Sequence, residues 1–255
     1  MRRRRRKAGW PVGEYLYSHR HKLILATIPR VGCRTAVRWW YAIHGQRVQR
    51  NGSRAHAVML YGMHRHSRDR WGRIMLGARR IAFVRDPWQR AVSAYLSKFV
   101  NSSKFRPGVH LTNRYARNTA AGLSFEDFVR LIGRQAALRM NQHWRPVTLF
   151  LGDCHFDALW PLAEMTSRLR ALGADLKCPS PIITIGRTPH QAVHGGYVGD
   201  WSVARLRQGG QPYPHWQDFY TDELVALVAR VYASDVTRFQ LQFPNGRESD
   251  SIPPI

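Results

Sequence analysis

Between Ile81 and Phe99 the spacing of apolar positions changes period within a few residues. Ile81, Ala82, Phe83 and Val84 form the short unbroken apolar run of a strand covered on both faces, and Arg85 emerges at its carboxyl end. Asp86 then suits an N-cap, and Pro87 suits the first helical position, where its missing N–H costs nothing. From there Trp88, Val92, Tyr95 and Phe99 recur at helical spacing and face a core, with Arg90, Ser93 and Ser97 on the opposite side. Arg85 and Ser93 can therefore point into one cleft. In an open α/β sheet ligands bind outside the carboxyl ends of the strands, so a strand-end arginine beside a helix N-terminus makes an anion site. The plainer alternative is that Arg85 and Asp86 pair with each other and the helix only packs.

A second junction of this kind lies upstream. Lys22 to Ile28, KLILATI, reads as the first core strand and ends at a proline. The turn PRVGCRT, Pro29 to Thr35, follows, and Ala36 to His44 reads as a helix with Val37, Trp40 and Tyr41 on one face. A strand, a tight glycine-containing turn and a helix aim successive backbone N–H groups at one spot, which is how phosphates are cradled. The segment is not a nucleoside-triphosphatase loop, GxxxxGK with Ser or Thr, because it lacks the first glycine and the lysine. Further on, His56 to Tyr61 is a candidate strand, and 101–123 reads as a polar, basic surface loop that suits an acceptor cleft. Ser124 and Asp127 form a capping box for a helix carrying Phe125, Phe128, Val129, Leu131 and Ile132. Gly173 to Gly210 reads as irregular apart from the apolar run Ile182 to Ile185. Thr221 caps a closing helix within 218–243 that carries Leu224, Leu227, Val228, Val231 and Tyr232.

The 255 residues suffice for one good-sized core, so a single domain is expected over 21–244, between a basic arm, 1–20, and a tail, 245–255. Hydrophobic content of 44% and 9 Trp exclude a disordered basic tail. A net charge of +24 predicts attraction to polyanions: nucleic acid, acidic polysaccharide or an anionic membrane surface. The arm MRRRRRK reads as a solvated tail or as a polyanion contact. Cys33, Cys154 and Cys178 show neither a disulfide framework nor a zinc pattern, and no carboxylate or Cys/His cluster is spaced to hold a metal, so none is implied. No apolar run nears the length of a membrane span, and no signal-peptide core follows the arm. Taken as complete, the chain is expected in the cytoplasm.

FVRDPWQRAVSAYLSKF closely resembles the 3′-phosphate-binding motif of sulfotransferases that use 3′-phosphoadenosine 5′-phosphosulfate (PAPS), especially the Golgi carbohydrate group. The resemblance implies that Arg85 and Ser93 hold the 3′-phosphate of the donor. PRVGCRT is similar to the family's 5′-phosphosulfate loop, P-K-x-G/A-C/S-T, at the expected place upstream. By that likeness the backbone around Gly32, Cys33 and Arg34 and the hydroxyl of Thr35 grip the 5′-phosphosulfate, with Arg30 and Val31 completing the loop. Arg30 stands where the family has lysine. It can neutralise charge on the leaving phosphate but is a poor general acid, because a guanidinium does not release its proton.

Looser likenesses to the carbohydrate 4-O group continue the order: SFEDF, NQHW, the block from Cys154 to Asp157 with Glu164 downstream, and VYASDVTRF. The Cys-to-Asp spacing is two residues shorter than in that group, and Phe156 stands for its tyrosine. For the base, His64 and His66 in MHRHSRDRWGR resemble the H-x-H of uronyl 2-O-sulfotransferases, whose second histidine serves; this points to His66. His143 in NQHW is the rival, as base or acceptor contact. The resemblance further implies that Arg187, between Gly186 and Thr188, reaches the donor nucleotide, since the related enzymes keep a basic and hydroxyl-bearing segment there. Each of these also has a plain reading as a surface or structural residue.

The resemblance covers Lys22 to Phe243. It implies one α/β domain with a central, mostly parallel sheet flanked by helices, similar to the P-loop nucleoside kinases. It also implies sulfuryl transfer from PAPS to a hydroxyl, with adenosine 3′,5′-bisphosphate as product, no metal, and a saccharide acceptor that the positive charge suggests is acidic. Lack of an anchor favours a microbial or viral cytoplasmic enzyme over a Golgi one. Two other classes stay open. A basic nucleic-acid-binding protein is supported by the charge and the arm, but no recognition motif for a specific nucleic acid is visible. A P-loop-type small-molecule kinase is opposed by the missing lysine.

Overall fold

The computed structural model describes residues 14–45, 60–62, 77–101, 123–178 and 190–243. In chain order the elements are β1 (Glu14–Ser18), β2 (Leu23–Thr27), α1 (Cys33–Ile43), β3 (Leu60–Gly62), β4 (Arg79–Val84), α2 (Pro87–Tyr95), α3 (Phe125–Ile132), α4 (Val147–Leu151), β5 (Ala158–Pro161), α5 (Met165–Asp175), α6 (Val203–Gly209), α7 (Asp222–Val231) and α8 (Ala233–Phe239). They gather into two compact units, one drawn from Met1–Arg85 and Val147–Gly186, the other from Asp86–Pro146 and Arg187–Asn245.

The first unit is built on a five-stranded sheet in the order β3-β1-β2-β4-β5. β1 is antiparallel to both β2 and β3, while β2 with β4 and β4 with β5 are parallel. Four strands thus share one direction and β1 alone opposes them, which is the mostly parallel sheet the sequence leads one to expect. Ile81 to Val84 are at most 2% exposed, as an unbroken apolar run requires. The aromatic rings of Phe83 and Trp160 lie 5.6 Å apart across the β4–β5 pair. At the start of β4, Asp157 acts as a latch: Oδ2 accepts from the Arg80 backbone N–H at 2.6 Å and from Nε at 3.1 Å, and the Asp157 N–H donates to the Arg80 carbonyl at 2.8 Å.

β1 corrects the reading of 1–20 as an arm. Tyr15 and Leu16 are fully buried, and the Tyr15 hydroxyl donates to the Phe150 carbonyl. β2 is buried along its whole length and takes β1 as a full five-residue partner, so the strand is specified by the sheet edge and not by its own pattern. Residues 1–13, the tail and most of the candidate strand from His56 lie outside the described residues.

The second unit is helical and centred on α2. Its caps follow the sequence: Asp86 Oδ1 accepts from the Gln89 N–H at 2.7 Å with Pro87 opening the helix, Ser124 and Asp127 form the full capping box, and Thr221 caps α7. Tyr95 packs against Phe99, Phe125, Phe128 and Phe219, with ring centroids 5.6 to 6.4 Å apart. The side of α2 assigned to polar residues is buried too: Arg90 is 1% and Ser93 5% exposed, and Arg90 Nη1 donates to the Arg145 carbonyl at 2.7 Å. The stretch read as irregular contains α6, capped by Ser202, and the closing helix is interrupted at Tyr232 between α7 and α8. Among the described residues no helix is long and apolar enough to cross a membrane.

Candidate functional site

In the first unit the chain leaves β2 through a turn in which the Val31 N–H donates to the Ile28 carbonyl at 3.1 Å. Arg30 and Gly32 both adopt left-handed backbone, φ 67° and 66°. For Arg30 that conformation costs about 1 kcal/mol, the kind of local strain that persists where a loop is shaped for a ligand. Gly32 is the N-cap of α1, with no side-chain cap and no acidic residue in the first turn. The first intrahelical bond is donated by the Ala36 N–H to the Gly32 carbonyl at 3.0 Å. The amides of Cys33, Arg34 and Thr35 come before it, so they have no intrahelical acceptor and lie at the positive end of the helix dipole. Thr35 is 4% exposed, Cys33 and Arg30 are partly buried, Arg34 is exposed, and the Val31 side chain is in the core, leaving Val31 only its backbone to offer.

Arg85 follows β4 directly and is partly buried. β2 and β4 are parallel neighbours with Leu25 opposite Ile81. Carrying that register forward sets Thr27 beside Phe83, so the 29–35 turn and Arg85 leave adjacent strands at the same end of the sheet. That is the crevice where open α/β sheets bind ligands.

Ser93 and His143 belong to the second unit. His143 follows an Asx turn: Asn141 Oδ1 accepts from the His143 backbone N–H at 3.0 Å and meets ring Nδ1 at 2.6 Å. The backbone donor identifies that atom as oxygen, so Nδ1 carries the proton and Nε2 keeps its lone pair. In the neutral ring Nε2 is then the basic nitrogen. Trp144 is wholly buried against Phe99 and Phe128, and its carbonyl accepts from the Tyr232 hydroxyl at 2.7 Å. Sequence reasoning missed Asn141, although an Asn two residues before a His is the local signal for such a turn. In the Cys154 to Glu164 block, Asp157 latches β4, and Glu164 pairs with Arg168 at 2.7 Å. His64, His66 and Arg187 lie outside the described residues.

Carbohydrate sulfotransferase 14 of Homo sapiens is 36% identical over 84 residues, 29% of this chain and 22% of that protein. Carbohydrate sulfotransferase 10 of Rattus norvegicus is 40% identical over 78 residues, 28% of this chain and 20% of that protein. Carbohydrate sulfotransferase 8 of Mus musculus is 26% identical over 162 residues, 57% of this chain and 39% of that protein. The chain thus matches less than two-fifths of the length of each of these relatives. No solved structure matches significantly. Neither the nucleic-acid-binding nor the kinase reading draws support from these matches. A profile described as "Sulfotransferase family" matches residues 13–191, and the chain belongs to that family.

Proposed function

We propose that this protein transfers a sulfuryl group from PAPS to a hydroxyl of a saccharide and releases adenosine 3′,5′-bisphosphate. The observation that carries the reading is the pairing of the 29–35 turn, which ends in the uncapped N-terminus of α1, with Arg85 at the neighbouring parallel strand end. This set of groups fits a phosphosulfate: it offers backbone N–H donors, a hydroxyl and guanidinium groups, with no acid in the first turn of the helix. When bound, PAPS supplies the sulfuryl group on a phosphosulfate linkage. The amides from Gly32 to Thr35 and the Thr35 hydroxyl hold the 5′ end, Arg85 and Ser93 hold the 3′-phosphate, and Arg187 adds charge toward the nucleotide. Arg30 offsets the negative charge that grows on the phosphate as the bridging bond to sulfur breaks, without surrendering a proton. A histidine takes the proton of the acceptor hydroxyl while the acceptor oxygen bonds to sulfur. His66, His64 and His143 are the candidates, and His143 has a ring already oriented by Asn141.

The relatives' names support a saccharide acceptor, and the net charge of +24 favours an acidic one. The test is calorimetric titration with adenosine 3′,5′-bisphosphate and with 5′-AMP, on the wild type and on Arg85→Ala, at moderate salt. Binding that requires both the 3′-phosphate and Arg85 is the expected result. Equal binding of the two nucleotides, or none, overturns the reading and returns the charge to nucleic acid.

A further inference from the structure

In the second unit the exposed stretch 191–197 is fastened to the segment 213–218 through one carboxylate. Asp218 is 5% exposed; its Oδ1 accepts from His194 Nδ1 at 2.8 Å and its Oδ2 from the Gly195 N–H at 2.9 Å, while the Val198 N–H donates to its carbonyl at 2.7 Å. His215 caps the 3₁₀ turn Trp216–Phe219 that carries Asp218, and its ring centroid lies 4.2 Å from that of His194 at an interplanar angle of 63°. One ligand atom from each of the three side chains falls within 4.8 Å of the others. His194 and His215 are 21 positions apart, which hides the set from the sequence reading that no carboxylate or Cys/His cluster is spaced to hold a metal.

We propose that His194, His215 and Asp218 bind a divalent transition-metal ion of the zinc class, which clips the 190–199 segment onto the turn. Two imidazoles and a carboxylate, with a fourth position open to water, make a tetrahedral zinc-type set. Paired imidazoles select against calcium and magnesium, which take oxygen ligands. At metal–ligand distances of roughly 2.0–2.2 Å the ligand atoms sit about 3.4 Å apart. His194 Nδ1 and Asp218 Oδ1 already stand 2.8 Å apart, all three ligand atoms lie within 4.8 Å of one another, and the His194 side chain is 50% exposed, so modest side-chain shifts bring the set to this spacing. Asp218 is already aimed by the Gly195 N–H, the outer-sphere bond that orients metal-ligating carboxylates. The clip shares no residue with the donor loop and does not depend on the sulfuryl-transfer reading.

The test is titration of the chelator-stripped full chain with Co(II), followed by visible absorption, and displacement by Zn(II). One equivalent with the intensity of a tetrahedral nitrogen–oxygen site, and no thiolate charge-transfer band, is expected. Affinity falls about 100-fold or more in His215→Ala and in His194→Ala, a larger loss than outer-shell changes give. It is unchanged in Cys178→Ser, which removes the sulfur that lies 3.8 Å from His21. Zn(II) raises the melting temperature of the wild type and not of His194→Ala, whose half-exposed side chain can be removed without disturbing the core. Equal uptake by wild type and both variants, a thiolate band, or no uptake at all overturns the site and leaves an ordinary His–Asp pair.

Discussion

A β-carbon on Gly32 would lie 2.5 Å from the sulfur of Met165 and 2.9 Å from Cδ1 of Leu162. The residue also holds φ 66°, so two independent constraints exclude a side chain at the point where the turn enters α1. Gly32→Ala is expected to cost about 1–3 kcal/mol, from left-handed strain and overpacking together. Because relief of the clash moves the first turn of the helix, affinity for adenosine 3′,5′-bisphosphate should fall even in folded protein. Urea melts and calorimetry check both; an unchanged melt would show that Met165 simply yields.

Local chemistry made the junctions legible. Asp86 with Pro87, Ser124 with Asp127, and Thr221 each satisfy helix-end groups within three residues, so the caps are visible in the string and present in the fold. The turn from Pro29 to Thr35 was readable for the same reason. What escaped depends on partners far along the chain. β1 exists because β2 offers an edge, and Arg90 sits inside because the Arg145 carbonyl and Asp235 meet it there. Helical periodicity placed Arg90 on the polar side but carried no information that this side is also covered. His194 and Asp218 illustrate the same limit, since only the return of the chain brings them to 2.8 Å.

Arg90 and Asp235 are each 1% exposed. Burial lowers the Arg90 pKa, and Tyr232 and then Asp235 work electrostatically against that effect. Arg90→Met removes this cation and the bond to the Arg145 carbonyl, and is expected to destabilise by about 3 kcal/mol. Adding Asp235→Asn should recover part of the loss. A double-mutant cycle by urea denaturation reads the coupling, and strictly additive effects would show that the two charges act independently.

Asp157 links stability to pH. Burial pushes its carboxyl upward, but the Arg80 side-chain and backbone hydrogen bonds and the Arg80 charge outweigh this and hold it below the ordinary aspartate value. The unfolded chain therefore binds the proton more readily, so the latch contributes fully above the ordinary value and is lost as pH falls through the depressed one. With the side chain 37% exposed and the pair screened, Asp157→Asn should cost about 1 kcal/mol at neutral pH. The gap to wild type should close in acid. Urea midpoints measured from neutral to acid pH test this, and a constant gap would assign the loss to packing.

Arg30→Lys asks what the arginine does in the turn. The variant keeps the positive charge and adds a group able to donate a proton to the leaving phosphate oxygen. Under the proposed transfer, kcat should rise by up to about tenfold, with donor affinity little changed. A fall in kcat would instead show that the planar guanidinium grips the phosphate in a way an ammonium cannot reproduce.

His143 and Asn141 allow the proton acceptor to be identified. With Nδ1–H held by Asn141 Oδ1 at 2.6 Å, Nε2 is the basic atom. If His143 is the base, His143→Gln lowers kcat about 100-fold or more and leaves adenosine 3′,5′-bisphosphate affinity intact. Asn141→Ala, which removes a positioning residue, should lower kcat by less and leave KM for the donor unchanged. The deciding readout is the limb of the pH–rate profile on which activity rises as the base loses its proton. Loss of that limb in His143→Gln assigns the role to His143. If the limb persists there and disappears in His66→Gln, the role passes to His66, and the Asn141 bond is left with the structural task of closing the turn before Trp144.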